Sequence, residues 1–118
     1  MGKFHYNATT RAEIDDRLLL HLQIVIGTKL RRGEAFPFTW KDDSSIGGGR
    51  TTVWVSASST LIYRYHGSRM PSVNSQWLEA LMTAANSPAG LYPVNEPTAA
   101  TRRDAVAPDE QLTLELVP

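Results

Sequence analysis

Cysteine is missing from all 118 residues. That one absence excludes disulfides, thiolate nucleophiles and cysteine-ligated zinc together. Histidine is scarce: His5, His21 and His66 are the only three, and none has metal-ligand spacing with another. No metal ligand set and no cofactor is therefore expected. There is no surplus of charge either. Twelve Lys plus Arg balance twelve Asp plus Glu, which argues against a nonspecific polyanion binder while leaving room for a local basic patch. Long hydrophobic runs are also lacking. The longest, residues 18–26, is interrupted by His21 and Gln23 and is too short to span a bilayer. The N-terminus has no apolar core of a secretory signal. Gly2 stands where a myristoylation start would, but position 6 is Tyr rather than Ser or Thr. A cytoplasmic location without a membrane partner is the expectation.

What is present fits one domain with a single core. Phe4 and Tyr6 alternate with polar neighbours, as do Ala12 and Ile14 beyond the polar turn 7–10, which predicts an N-terminal β-hairpin. Asp15 then caps a helix over residues 16–32. Ile14 and Leu19 form its staple, cations fill its last turns and Gly33 stops it. Leu18, Leu19, Leu22, Val25, Ile26 and Leu30 make one apolar stripe. Leu20, Ile24 and Gly27 lie on nearly the opposite side, and something must cover them.

Three strands follow, at 35–41, 51–56 and 61–66, and read as an antiparallel meander. Pro37 has no amide to donate, which puts its strand at an edge or a bulge. Asn74 or Ser75 caps a second helix carrying Trp77, Leu78, Leu81, Met82 and Ala85, and Asn86-Ser87-Pro88 stops it. The order ββαβββα predicts an α+β fold: one small domain at 1–91, an antiparallel sheet with two helices, then a Pro-rich linker and extended tail at 92–118. In that tail Leu112, Leu114 and Leu116 alternate with polar residues, as a strand added to a sheet edge would.

Several of these segments look familiar. They are the start Met1-Gly2-Lys3-Phe4-His5-Tyr6, the helix residues Asp15-Asp16-Arg17 with His21-Leu22-Gln23, and Lys29-Leu30-Arg31-Arg32-Gly33-Glu34. Phe38-Thr39-Trp40, the Gly-rich turn ending in Arg50, Tyr63-Arg64-Tyr65, the stretch from Asn74 through Leu81, and Ala85-Asn86-Ser87-Pro88-Ala89-Gly90-Leu91 belong with them. Together they resemble a family of small actinobacterial proteins, a domain of unknown function. Its members often carry the label "ATP-dependent DNA ligase" through automatic transfer. The likeness spans residues 1–97, and that label implies a role beside DNA.

The residues do not support a complete ligase. The nucleophilic lysine of such enzymes sits in Lys-x-Asp-Gly, and here Lys41-Asp42-Asp43 is followed by Ser44. The further lysines and metal-binding carboxylates of a nucleotidyl-transfer pocket have no room in this chain. Gly47-Gly48-Gly49-Arg50 lacks the first glycine, the lysine and the following helix of a phosphate loop, so it reads as a hairpin turn. Asp15-Asp16 and Asp42-Asp43 have capping and turn roles. No catalytic residue is assigned.

Two functional readings remain. The first is a small non-catalytic interaction module that self-associates, with Leu20, Ile24, Gly27, Leu112, Leu114 and Leu116 as the interface. The second is a nucleic-acid-associated accessory protein. Its candidate anion contacts are Lys29, Arg31, Arg32, Arg50, Arg64 and Arg69, with Trp54 to stack on bases if Trp54, Arg64 and His66 share an uncovered sheet face.

Overall fold

A computed structural model describes residues 1–43 and 47–97. The N-terminal hairpin forms as the alternation predicts, with β1 at Gly2–Tyr6 paired antiparallel to β2 at Thr10–Ile14. Its turn holds both Asn7 and Ala8 at positive φ, +53° and +66°. That left-handed pair matches the twist of the strands it joins.

α1 runs Asp16–Arg31, one residue shorter than predicted. The Asp15 carboxylate accepts from the Arg17 N–H at 3.1 Å. At the other end Gly33 adopts φ +75°. Its N–H reaches the Leu30 carbonyl and the Glu34 N–H reaches that of Lys29, at 2.9 and 3.0 Å. Those two bonds close the helix as a Schellman motif.

β3 spans Phe36–Lys41 and pairs antiparallel with β4, Arg50–Val55. The expected meander ends there. β5, Leu61–Arg64, leaves β4 and pairs antiparallel with β1, so the domain has two sheets, β2-β1-β5 and β3-β4. Two features explain the departure. Thr60 is held by Asn7, whose N–H donates to the Thr60 carbonyl while its side chain accepts from the Thr60 N–H, both at 2.8 Å. The outer edge of β4 is already engaged, because the Trp54 carbonyl accepts from the Tyr6 and Ser59 hydroxyls.

Pro37 does lie on an edge. Its carbonyl and the Thr39 N–H face away from β4 and bond Leu91, at 2.8 and 2.9 Å, in a short parallel bridge. The missing amide therefore costs the β3–β4 ladder nothing. Gly90 makes this approach possible: at φ +87°, an added Cβ would stand 3.0 Å from Pro37 Cδ and closer still to its Cγ and carbonyl oxygen.

The core lies between the inner faces of the sheets and the helices. Phe4, Phe38 and Trp40 meet at centroid distances of 5.3 to 5.9 Å. Leu19, Leu22, Val25 and Ile26 from α1 join Trp77 and Leu81 from α2, Ser75–Ala85, in the same buried cluster. Asn74 caps α2, accepting from the N–H groups of Gln76 and Trp77. Among the described residues no helix is long and apolar enough to cross a membrane.

The contacts continue past the expected boundary at residue 91. Residues 91–97 run over the domain as a strap. Leu91 is fully buried, the Val94 carbonyl accepts from Trp77 Nε1 at 2.6 Å, and Glu96 pairs with Arg17 through bonds of 3.0 and 2.6 Å.

Candidate functional site

Alternation along each strand divides the sheets into a buried and an outer face. On the β3–β4 ribbon, Phe36, Phe38, Trp40, Val53 and Val55 turn inward. Pro37, Thr39, Lys41, Arg50, Thr52 and Trp54 occupy the other face in register: Pro37 opposite Trp54, Thr39 opposite Thr52, Lys41 opposite Arg50. The two threonine hydroxyls are 2.7 Å apart. Trp54 is 59% exposed. Four residues of strand separate it from Arg50, about 13 Å.

The outer face of the three-stranded sheet is a second basic surface. Arg64 stands opposite Lys3, and Arg11 opposite His5. Glu13, beside Lys3, is the one carboxylate among them. Like charges directly across a strand pair repel, and both sheets carry such a pair on their outer faces.

The charge balance is less neutral in space than in composition. Asp15 caps α1, the Asp16 carboxylate accepts the N–H groups of His66 and Gly67, and Asp42 accepts the Thr51 hydroxyl. Glu34 pairs with Lys29 and Glu96 with Arg17. These bonds hold the carboxyls of Asp16, Glu34 and Glu96 below their usual range, Glu96 down to about 2, because Arg17 and then Asn74 bond its charged form. By contrast Lys3, Arg11, Arg31, Lys41, Arg50, Arg64 and Arg69 make no ion pair or side-chain hydrogen bond with another described residue. These five carboxylates are tied into the fold, while these seven cations are not.

The structure sorts the candidate residues. Arg50 and Trp54 share the ribbon face. Arg64 does not join them, because it belongs to the other sheet. His66 lies past the end of β5, where its N–H bonds Asp16 at 3.0 Å. Lys29 leaves the set as a correction: it is 6% exposed, and its ammonium bonds Asn86 at 2.6 Å and Glu34 at 2.9 Å above the Phe36 ring. Arg32 is the C-cap of α1, and Arg69 is exposed in the loop before α2. Leu20, expected at an interface, is 6% exposed within one chain. Ile24, Gly27 and Arg31 instead line an open groove of about 560 Å³ together with Leu30, Leu61 and Tyr63. Leu112, Leu114 and Leu116 lie outside the described residues.

Sequence alone does not single out Lys3, Arg11, Lys41 or the Thr39–Thr52 pair as a surface. Their signal is cross-strand register, which alternation within one strand does not give. His21 is fully buried: its Nε2 accepts from the Asn74 N–H at 2.9 Å, its Nδ1 donates to the Arg17 carbonyl at 2.7 Å, and its ring lies 4.5 Å from Trp77. It joins α1 to α2. Among the described residues no group of three His, Cys, Asp or Glu side chains is placed to hold a metal ion. The Gly-rich loop is a hairpin connection, with Gly47 and Gly48 at positive φ.

A family model described as a domain of unknown function (DUF7882) matches residues 1–96. No curated protein and no solved structure matches the chain.

Proposed function

The chain belongs to the DUF7882 family, and from its geometry we propose a non-catalytic binding module that takes single-stranded nucleic acid on the outer face of the β3–β4 ribbon. The observation that carries this is the exposed Trp54 ring on one sheet face with Lys41 and Arg50, two cations without a partner among the described residues. An exposed aromatic offers a base a stacking platform, and neighbouring cations follow the phosphates. Thr39 and Thr52 place hydroxyls between them. Unpaired bases are needed for stacking, so single strands are preferred over duplex. The proposal agrees with the ligase label of the resembling proteins only in its class of partner.

Anisotropy with a fluorescein-labelled oligo(dT) of about 20 nucleotides, and a duplex of the same length, tests the reading. Expected are binding to the single strand that weakens as salt rises and a loss of roughly 5- to 100-fold in Trp54→Ala. No binding at low salt, or an unchanged affinity in Trp54→Ala, would overturn it. Self-association, the other reading of the sequence, no longer has Leu20 available, since one chain already covers that side chain.

A further inference from the structure

β5 is the open edge of the sheet ordered β2-β1-β5. The bond from the Asn7 N–H to the Thr60 carbonyl sets the phase of the β1–β5 ladder. His5–Ile62 and Lys3–Arg64 are then the pairs that exchange backbone bonds. The N–H and C=O groups of Leu61 and Tyr63 point the other way, toward the open edge. Proteins blunt such edges with Pro, Lys or a bulge, or cover them. Leu61, Ile62 and Tyr63 offer no such device, and Ile62 is 44% exposed.

The groove of about 560 Å³ runs beside this edge, between β5 and the second half of α1. Its helix side is lined by Ile24, Gly27, Leu30 and Arg31. Gly27 is a mid-helix glycine with no positive φ to require it, and an added Cβ there would meet nothing within 4 Å. It costs the helix roughly 1 kcal/mol against Ala. The bare backbone leaves the groove open at this position.

We propose that residues 112–116 of this same chain add as a strand to β5 and seat Leu112, Leu114 and Leu116 in that groove. Period-two alternation puts the three leucines on one face and Thr113 and Glu115 on the other, as an added strand requires. The reach is sufficient. Glu96 is fixed to Arg17 at the start of α1. The groove residues Gln23 to Arg31 lie about 9 to 21 Å farther along the helix. The sixteen residues from Pro97 to Leu112 span up to about 55 Å. A tether of this kind holds the segment at an effective concentration on the order of mM. Charge agrees as well, since Arg31 has no partner among the described residues and Asp109, Glu110 and Glu115 surround the alternating segment.

Two measurements on the full chain test the proposal. Hydrogen exchange at the Leu61 and Tyr63 amides is expected to speed up at least about tenfold in Leu112→Asp/Leu114→Asp/Leu116→Asp, with the β1–β2 amides unchanged. Equal exchange in both proteins overturns it. The absence of native cysteine permits a clean cross-link between Gly27→Cys and a second cysteine placed in turn at positions 112 to 116. Intramolecular disulfides at 112, 114 or 116 and none at 113 and 115 are expected. Cross-linked dimers would assign the groove to a second copy, and no cross-link at any position would leave the tail elsewhere. Either outcome refutes docking within one chain.

Discussion

Two residues with the same backbone twist make opposite predictions. Ala8 carries φ +66° and Gly90 φ +87°. A left-handed conformation costs an L-residue about 1–2 kcal/mol, and glycine escapes that cost but has more unfolded-state entropy to lose on folding. Ala8→Gly should therefore raise stability by about 0.5–1 kcal/mol. Gly90→Ala meets the left-handed cost and also drives a methyl into Pro37. It should lower stability by about 1–3 kcal/mol and loosen the Leu91 bridge. Urea midpoints of the two variants check both signs. Only half of this contrast was legible in sequence. Asn7 announces a turn, whereas the need for glycine at position 90 arises from Pro37, far away in the chain.

At the scale of elements, each helix and strand could be read locally and their partners could not. The Asp15 and Asn74 caps, the Gly33 stop and the edge position of Pro37 all follow from neighbouring residues. Consecutive order predicts β4 as the partner of β5; its real partner, β1, is fixed by Asn7 and Thr60 across more than fifty residues. Proline recurring at 93, 97, 108 and 118 among small polar residues reads as a linker, and the strap lies where that linker would begin. Its clasp joins Glu96 to Arg17, and no local pattern reports that bond. The clasp gives a pH dependence. The Glu96 carboxyl titrates near 2 in the fold, below its ordinary value of 4.5. A carboxyl depressed on folding adds stability above its unfolded value, and that contribution is lost as pH falls toward the folded one. Thermal melts should thus fall between about pH 4.5 and 2. Asp16, also depressed, contributes in the acid range, so the comparison is with Glu96→Gln. That variant should start less stable at neutral pH and lose less on acidification.

For the molecule as a whole, a neutral composition conceals a divided charge distribution. Composition counts twelve charges of each sign and does not show which are tied down. In the folded chain the carboxylates of Asp15, Asp16, Asp42, Glu34 and Glu96 hold caps, turns and the strap, while Lys41 faces Arg50 and Lys3 faces Arg64 across exposed strand pairs. Opposed cations are destabilising by a few tenths of a kcal/mol to about 1 kcal/mol, and replacing one by a carboxylate relieves the repulsion. Lys41→Glu should therefore raise the melting temperature slightly. If the ribbon binds single strands, the same substitution should weaken oligo(dT) binding and flatten its salt dependence, because one phosphate contact is lost. Arg64→Glu, opposite Lys3, makes the same electrostatic correction on the other sheet, which has no exposed aromatic ring, and should stabilise without a comparable loss of binding. Anisotropy across a salt series, run beside melting curves for both variants, separates a binding face from a merely solvated one. Equal binding losses in the two variants would mean that the oligonucleotide responds to overall charge, and the Trp54 ribbon would lose its special place.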